Sequence, residues 1–200
     1  MINVNERKIN KENLLVYSEN GIDYTTYPGE IILSPLIDLM KEELYEPYPV
    51  YTYRYFLNGW PDLCIIAFDG DKFIGGIVGK CDKGKTTGIL KGYIAMIAVE
   101  KEYRGRKIGK NIARLFVERC QLLYKPTEIY LETEAINTGA LALYESLGFV
   151  RTKIYLNYYS NGNSAYKLKL WFREEEKEIK TTDLEPNNLK INNEEIEASS

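Results

Sequence analysis

Histidine is absent from all 200 residues. That removes Ser-His-Asp and Cys-His nucleophiles, zinc sites with histidine ligands and a histidine general base. Acid–base work is left to carboxylate, tyrosine, lysine or water, and no metal is expected. Cysteine is scarce: Cys64, Cys81 and Cys120 stand far apart with no C-x-x-C pair, which suits a reducing compartment. No apolar run approaches transmembrane length, and Met1–Asn20 lacks a secretory h-region, so a soluble, cytoplasmic protein is expected, without a membrane partner. A Walker loop and a G-x-G-x-x-G fingerprint are missing too.

What is present suits one core. A hydrophobic content of 44% with 28% charged residues predicts a single domain with tails: a flexible arm over 1–30, a globular part over 31–172 and an acidic, disordered tail over 173–200. The net charge is −3, and the tail's nine acidic and four basic side chains leave +2 for residues 1–172. That balance suits a phosphorylated ligand and gives no argument for nucleic acid.

The stretch Lys91–Tyr124 organises the chain. An apolar run, Tyr93 to Val99, reads as a strand, and a basic turn follows with Arg104, Gly105, Arg106 and Lys107. A helix pattern then places Ile108, Ile112, Leu115, Phe116 and Leu122–Leu123 on one face. A helix start carries unpaired N–H groups and the positive end of the macrodipole, so strand, basic turn and helix together form an anion site. A solvated basic loop would have the same composition.

Upstream, Ser34-Pro35 predicts an N-cap and first helical position, with a helix ending near Tyr45. The proline loop Glu46-Pro47-Tyr48-Pro49 interrupts it, and Tyr51–Leu57 reads as a second short helix. Leu63–Phe68 and Phe73–Gly79 form a hairpin about Asp69-Gly70, and Val78–Gly92 reads as a loop with frayed strand ends. Downstream, Glu128–Glu134 alternates as a strand, with Tyr130, Glu132 and Glu134 on one face. Asn137 caps a helix with the stripe Leu141, Tyr144 and Leu147, stopped by Gly148. Two strands, Phe149–Tyr158 and Ala165–Trp171, close the domain. The fold class expected is α/β, a mixed central sheet flanked by helices.

On pattern alone, Glu132 is either a solvated surface glutamate or a cleft carboxylate suited to general base work. Tyr144 is either a packed aromatic or an acid. The tyrosines Tyr48, Tyr93, Tyr158 and Tyr159 offer apolar area with hydroxyl donors, suited to an extended peptide.

Arg104-Gly105-Arg106-Lys107-Ile108-Gly109, after an A-V-x-x-x-Y strand end, resembles the acetyl-coenzyme A motif Q/R-x-x-G-x-G/A of the GNAT acyltransferases, with Lys107 in place of the first glycine of the pair. Leu131-Glu132-Thr133-Glu134, Asn137 and Ala140-Leu141-x-Leu143-Tyr144-Glu145-x-x-Gly148-Phe149 resemble the later cofactor motif of the family's N-terminal acetyltransferases. Glu46-Pro47-Tyr48, Tyr51–Phe56, Trp60-Pro61, Gly92–Met96 and Tyr158-Tyr159 are similar to the NatC-type catalytic subunits among them. The likeness runs from about Glu46 to Trp171, and Asn157 stands where that group has arginine.

The resemblance implies the GNAT fold and acetyl-CoA as acyl donor. It places cofactor contacts at Ile97, Ala98, Val99, Arg104, Gly105, Arg106, Lys107, Ile108, Gly109, Lys110, Asn137 and Tyr144. It makes Glu132 the general base and Tyr144 the general acid, and lines a peptide groove with Glu46, Pro47, Tyr48, Tyr93, Tyr158 and Tyr159. The implied substrate is the N-terminal α-amine of nascent chains that retain methionine before a bulky apolar residue. Auxiliary subunits, and through them the ribosome, are the implied partners. Two other readings remain at this level: acetylation of a lysine or small amine, and a non-catalytic acyl-CoA-binding scaffold.

Overall fold

Alternating apolar side chains in short β-rich runs build a sheet that buries both faces, and two amphipathic layers cover it. The computed structural model describes residues 13–44, 46, 48–84 and 87–172. Its strands are β1 (Leu15–Glu19), β2 (Ile22–Thr26), β3 (Ile65–Asp69), β4 (Lys72–Lys83), β5 (Leu90–Val99), β6 (Glu128–Glu134), β7 (Val150–Tyr155) and β8 (Ala165–Trp171). The helices are α1 (Leu33–Glu43), α2 (Val50–Gly59), α3 (Ile108–Tyr124) and α4 (Thr138–Glu145). One sheet runs in the order β1-β2-β3-β4-β5-β6-β8-β7. Every neighbouring pair is antiparallel except β5 and β6, which α3 connects as a parallel crossover.

Strand β3 shows how the layers divide. Ile65 and Ala67 join Ile112, Phe116 and Leu141 of α3 and α4 in one core, while Ile66 and Phe68 join Leu36, Met40, Phe56 and Leu57 of α1 and α2 in the other. Helix α3 presses on bare backbone. A Cβ on Gly79 would lie 2.4 Å from the Tyr93 carbonyl and 2.6 Å from the Phe116 ring, so only glycine lets the helix sit there.

Several expectations need correction. Residues 15–26 are not an arm but the hairpin β1–β2, bonded along β2 to β3; Tyr24 is 1% exposed, and its hydroxyl accepts a hydrogen bond from Asn111 of α3. The contact spans 87 residues, so no local pattern announces it. The stretch 78–92 is mostly strand, because β4 and β5 pair out to Lys83 and Leu90. Helix α1 begins one residue before Ser34, on a 3₁₀ turn at Glu30–Ile32. Leu122 and Leu123 are 73% and 48% exposed; the buried face of α3 runs through Cys120, four residues beyond Phe116. The tail over 173–200 lies outside the described residues.

Two irregularities shape the middle of the sheet. Strands β5 and β6 are in register only over Lys91–Tyr93 and Glu128–Tyr130, after which they part. In β5, Met96 pairs with Val78 and Ile94 with Gly79, so Ala95 is a bulge residue without a partner. The bulge reverses the facing of the strand: Ile94 points to the α3 side, Met96 and Ala98 to the α1–α2 side. At the closed end of the seam the buried carboxylate of Glu128 lies 2.9 Å from Lys91 Nζ and 3.0 Å from Lys169 Nζ. Burial alone would push its pKa up, but the two lysine hydrogen bonds and charges outweigh it and hold it below the ordinary glutamate value.

Candidate active site

Where β5 and β6 part, a cavity of about 1170 Å³ opens, lined by Tyr93–Val99 on one side and Leu131–Glu134 on the other. Strand backbone past the seam has lost its neighbour and faces this space. The helix starts of α3 and α4 and the tyrosines Tyr48, Tyr158 and Tyr159 complete the walls.

At one end lies the basic turn. Lys107 caps α3 in the left-handed conformation, φ 63° and ψ 6°, and Gly105 also has positive φ. A left-handed position explains why glycine is usual in this place; lysine there costs about 1–2 kcal/mol of backbone strain. The first helical bond runs from Asn111 N–H to the Lys107 carbonyl, so the amides of Ile108, Gly109 and Lys110 have no acceptor inside the helix. All three residues line the cavity.

The arginines behave differently from the sequence expectation. Arg104 borders the cavity, but its guanidinium pairs with Glu43, and its Nε donates to the Val99 carbonyl at 3.2 Å. Arg106 does not line the cavity; its guanidinium lies 5.1 Å from the centroid of the Tyr103 ring. The nearby positive groups are therefore helix amides, Lys107 and Lys110 more than a pair of free guanidinium groups.

Asn137 and Tyr144 sit on α4. Asn137 Oδ1 accepts from Ala140 N at 3.0 Å and caps the helix, while its amide N–H groups take no part in the cap. Tyr144 packs edge-on against Phe149 with ring centroids 5.5 Å apart. It is 3% exposed and borders the cavity, and burial pushes its hydroxyl well above the usual tyrosine pKa of 10. It is therefore a neutral donor at any physiological pH.

Glu132 points from β6 into the same space. Its Oε1 accepts from Lys167 Nζ of β8 at 3.0 Å. Tyr48, Tyr93, Tyr158 and Tyr159 stand around it, each pushed above the usual tyrosine range by burial first. The Glu132 charge is the second cause for Tyr48, Tyr93 and Tyr158. Glu46 joins the two lips of the groove: its Oε1 accepts from the Ser160 N–H at 2.8 Å, a bond that holds the carboxyl below its usual range. Pro47 lies outside the described residues.

The fold thus gathers Ile97, Ala98, Val99, Arg104, Gly105, Lys107–Lys110, Glu132, Asn137 and Tyr144 with the groove tyrosines in one cavity, and leaves Arg106 out. Sequence reasoning missed Lys167, Glu43 and the bulge at Ala95. Lys167 could have been found by writing Glu128–Glu134 antiparallel to Ala165–Trp171, which sets Glu132 opposite Lys167. Glu43 and Ala95 carry no such signal, because a 61-residue contact and a register shift are decided by tertiary packing.

Residues 33–149 match the acetyltransferase (GNAT) family. The chain is 44% identical over 156 residues to the N-alpha-acetyltransferase MAK3 of Arabidopsis thaliana, covering 78% of this chain and 80% of that protein. It is 43% identical over 155 residues to the N-alpha-acetyltransferase 30 of Homo sapiens, covering 78% of this chain but only 42% of that longer protein. Among solved structures, a chain of the NatC complex bound to Gag peptide and CoA superposes with a TM-score of 0.71 at 40% identity, over 76% of this chain and 99% of that one.

Proposed function

Because this chain belongs to the acetyltransferase (GNAT) family, we propose that it transfers the acetyl group of acetyl-CoA to the N-terminal α-amine of proteins that retain methionine before a bulky apolar residue. One observation carries the reading. A single cavity runs from the amides that open α3, past Tyr144, to Glu132 and on into a groove walled by Tyr48, Tyr93, Tyr158 and Tyr159.

Acetyl-CoA fits what is present. The amides of Ile108, Gly109 and Lys110, which have no acceptor inside the helix, with Lys107 beside them, suit a pyrophosphate, and the Asn137 amide N–H groups are not used in its cap. The free edges of β5 and β6 suit an amide-containing chain laid between them. When bound, acetyl-CoA supplies an activated acyl group on a thiol leaving group.

The remaining work belongs to the protein. An α-amine has a reference pKa of about 7.7–8.0, against about 10.4 for lysine, so it needs only modest help to become nucleophilic. Glu132, paired with Lys167, accepts the amine's proton. Tyr144, kept neutral by burial, donates a hydrogen bond where negative charge grows on the departing sulfur. The tyrosine walls bury the apolar side chains of the first residues and exclude water, and the Glu46–Ser160 bond holds the two lips at a fixed spacing.

The solved relative is part of a complex, and by analogy auxiliary subunits would bring this chain to nascent chains at cytoplasmic ribosomes. Among the described residues no helix is long and apolar enough to cross a membrane. The test is acetylation of a panel by the full chain, with and without auxiliary subunits: a Met-Leu peptide, a Ser-initiated peptide, an internal-lysine peptide and a polyamine. The Met-Leu peptide should have the highest kcat/KM. Preference for the lysine peptide or polyamine would replace the substrate assignment, and failure to turn over any amine would favour an acyl-CoA-binding scaffold.

A further inference from the structure

The ion pair on the cavity wall has a role that the base assignment alone does not give it. Glu132 and Lys167 are direct partners in the antiparallel β6–β8 ladder, so the backbone register sets their side chains side by side. Both are mostly withdrawn from water, with side-chain exposures of 14% and 21%. The ammonium is held from two directions, by the carboxylate at 3.0 Å and by the face of Tyr130, whose centroid is 4.0 Å away. A cation so pinned cannot swing off its partner as a surface lysine does.

We propose that Lys167 is the positioning residue for the proton-accepting carboxylate, holding Glu132 in one orientation by its charge and hydrogen bond while touching neither substrate itself. The inference rests on the reading of Glu132 as the base. The groups that face this carboxylate are consistent with it. Tyr48 comes from the loop after α1, Tyr93 from β5, Tyr158 and Tyr159 from the segment after β7, and Tyr130 and Glu134 from β6 itself. Tyr48, Tyr93, Tyr158 and Tyr159 are pushed upward by burial and stay neutral, and Glu134 is acidic, so none of them compensates the charge. Lys153 stands in register with Lys167 on β7, but its Nζ lies over the Tyr155 ring at 4.7 Å. Glu128, deeper in the same strand, is held by two lysines as a structural triad; Glu132 has the single partner Lys167 among the described residues. The Lys167 bond engages Oε1 of Glu132, whereas Lys169 engages both oxygens of Glu128.

The test is the pH dependence of kcat/KM on a Met-Leu peptide with the full chain. In Lys167→Met the acid limb should move to higher pH by about half a unit or more, giving a loss of roughly threefold or greater near pH 6.5 that recovers in alkaline buffer. The KM for acetyl-CoA should stay unchanged, and Lys167→Arg should restore the profile. In a Glu132→Gln background the Lys167 substitution should add nothing. If Glu132→Gln is severely impaired but Lys167→Met keeps the wild-type profile, the positioning role is wrong; if Glu132→Gln is fully active, the base assignment fails instead.

A second measurement needs no turnover. Trace labelling of Lys167 by acetic anhydride across pH, read by mass spectrometry, should show an amine that titrates above an ordinary lysine. Burial is the largest single influence and opposes that shift, but the Glu132 hydrogen bond and charge, with Tyr155 and Tyr130, together outweigh it, so the midpoint should fall in Glu132→Gln. An unmoved midpoint would overturn the pairing.

Discussion

Lys107 shows how a single residue can depart from a pattern and keep its geometry. Its φ of 63° is the conformation that glycine supplies at no steric cost, and lysine adopts it here, at the cap of α3, at a cost in backbone strain. Lys107→Gly should therefore stabilise the fold by about 0.5–1 kcal/mol in urea denaturation. Equal or lower stability would show that the turn is not strained. Tyr144 makes a second claim at this scale. Tyr144→Phe keeps the ring against Phe149, so the melting temperature and CoA affinity should be preserved while kcat falls about tenfold or more. An equally active variant would remove the hydroxyl from the mechanism. Because burial raises that hydroxyl's pKa, its ionisation should not limit the wild-type rate between pH 8 and 10.

Elements were legible where their own side chains decide them. The period-two run fixes β6 at Glu128–Glu134, and Asn137 caps α4 as its side-chain chemistry demands. The β1–β2 hairpin was not legible, although Asn20 and Gly21 both adopt the positive φ of a tight turn, because its burial depends on β3 and on Asn111. The continuation of β4 and β5 through a lysine- and glycine-rich stretch has the same kind of cause: pairing and the weight of α3 on Gly79 outweigh local propensity. In the candidate site, motif residues could be read, but Lys167 needed the strand register and Glu43 needed the fold. Gly79→Ala tests the packing account. With a methyl 2.4 Å from the Tyr93 carbonyl, α3 or β5 must shift, and the variant should lose about 1–3 kcal/mol in urea denaturation. A neutral result would mean that α3 rides more loosely on the sheet than its contacts imply.

Across the whole molecule, acid stability turns on the triad that closes the seam. The net pKa of Glu128 is depressed in the folded state, so its contribution is fully present above the ordinary glutamate range and is lost as pH falls through the folded value. Glu128→Gln, which leaves Lys91 and Lys169 facing an uncharged amide, should lower the melting temperature at pH 7, with the gap to wild type narrowing below about pH 4. A constant gap at all pH values would assign the loss to shape alone. The three-residue register between β5 and β6 has a larger consequence, since it makes the sheet two blades joined at one end like an unfastened zip. An acyl donor lying in the gap would act as the missing slider, adding about 2.7 kcal/mol of stability at a hundredfold excess over its Kd. Hydrogen exchange at 94–99 and 131–134 should then slow on adding CoA while β1–β3 stay unchanged. The bound donor would then act as a removable stay: with it in place the two blades resist parting, and without it the backbone beyond Tyr93 and Tyr130 is the first to open.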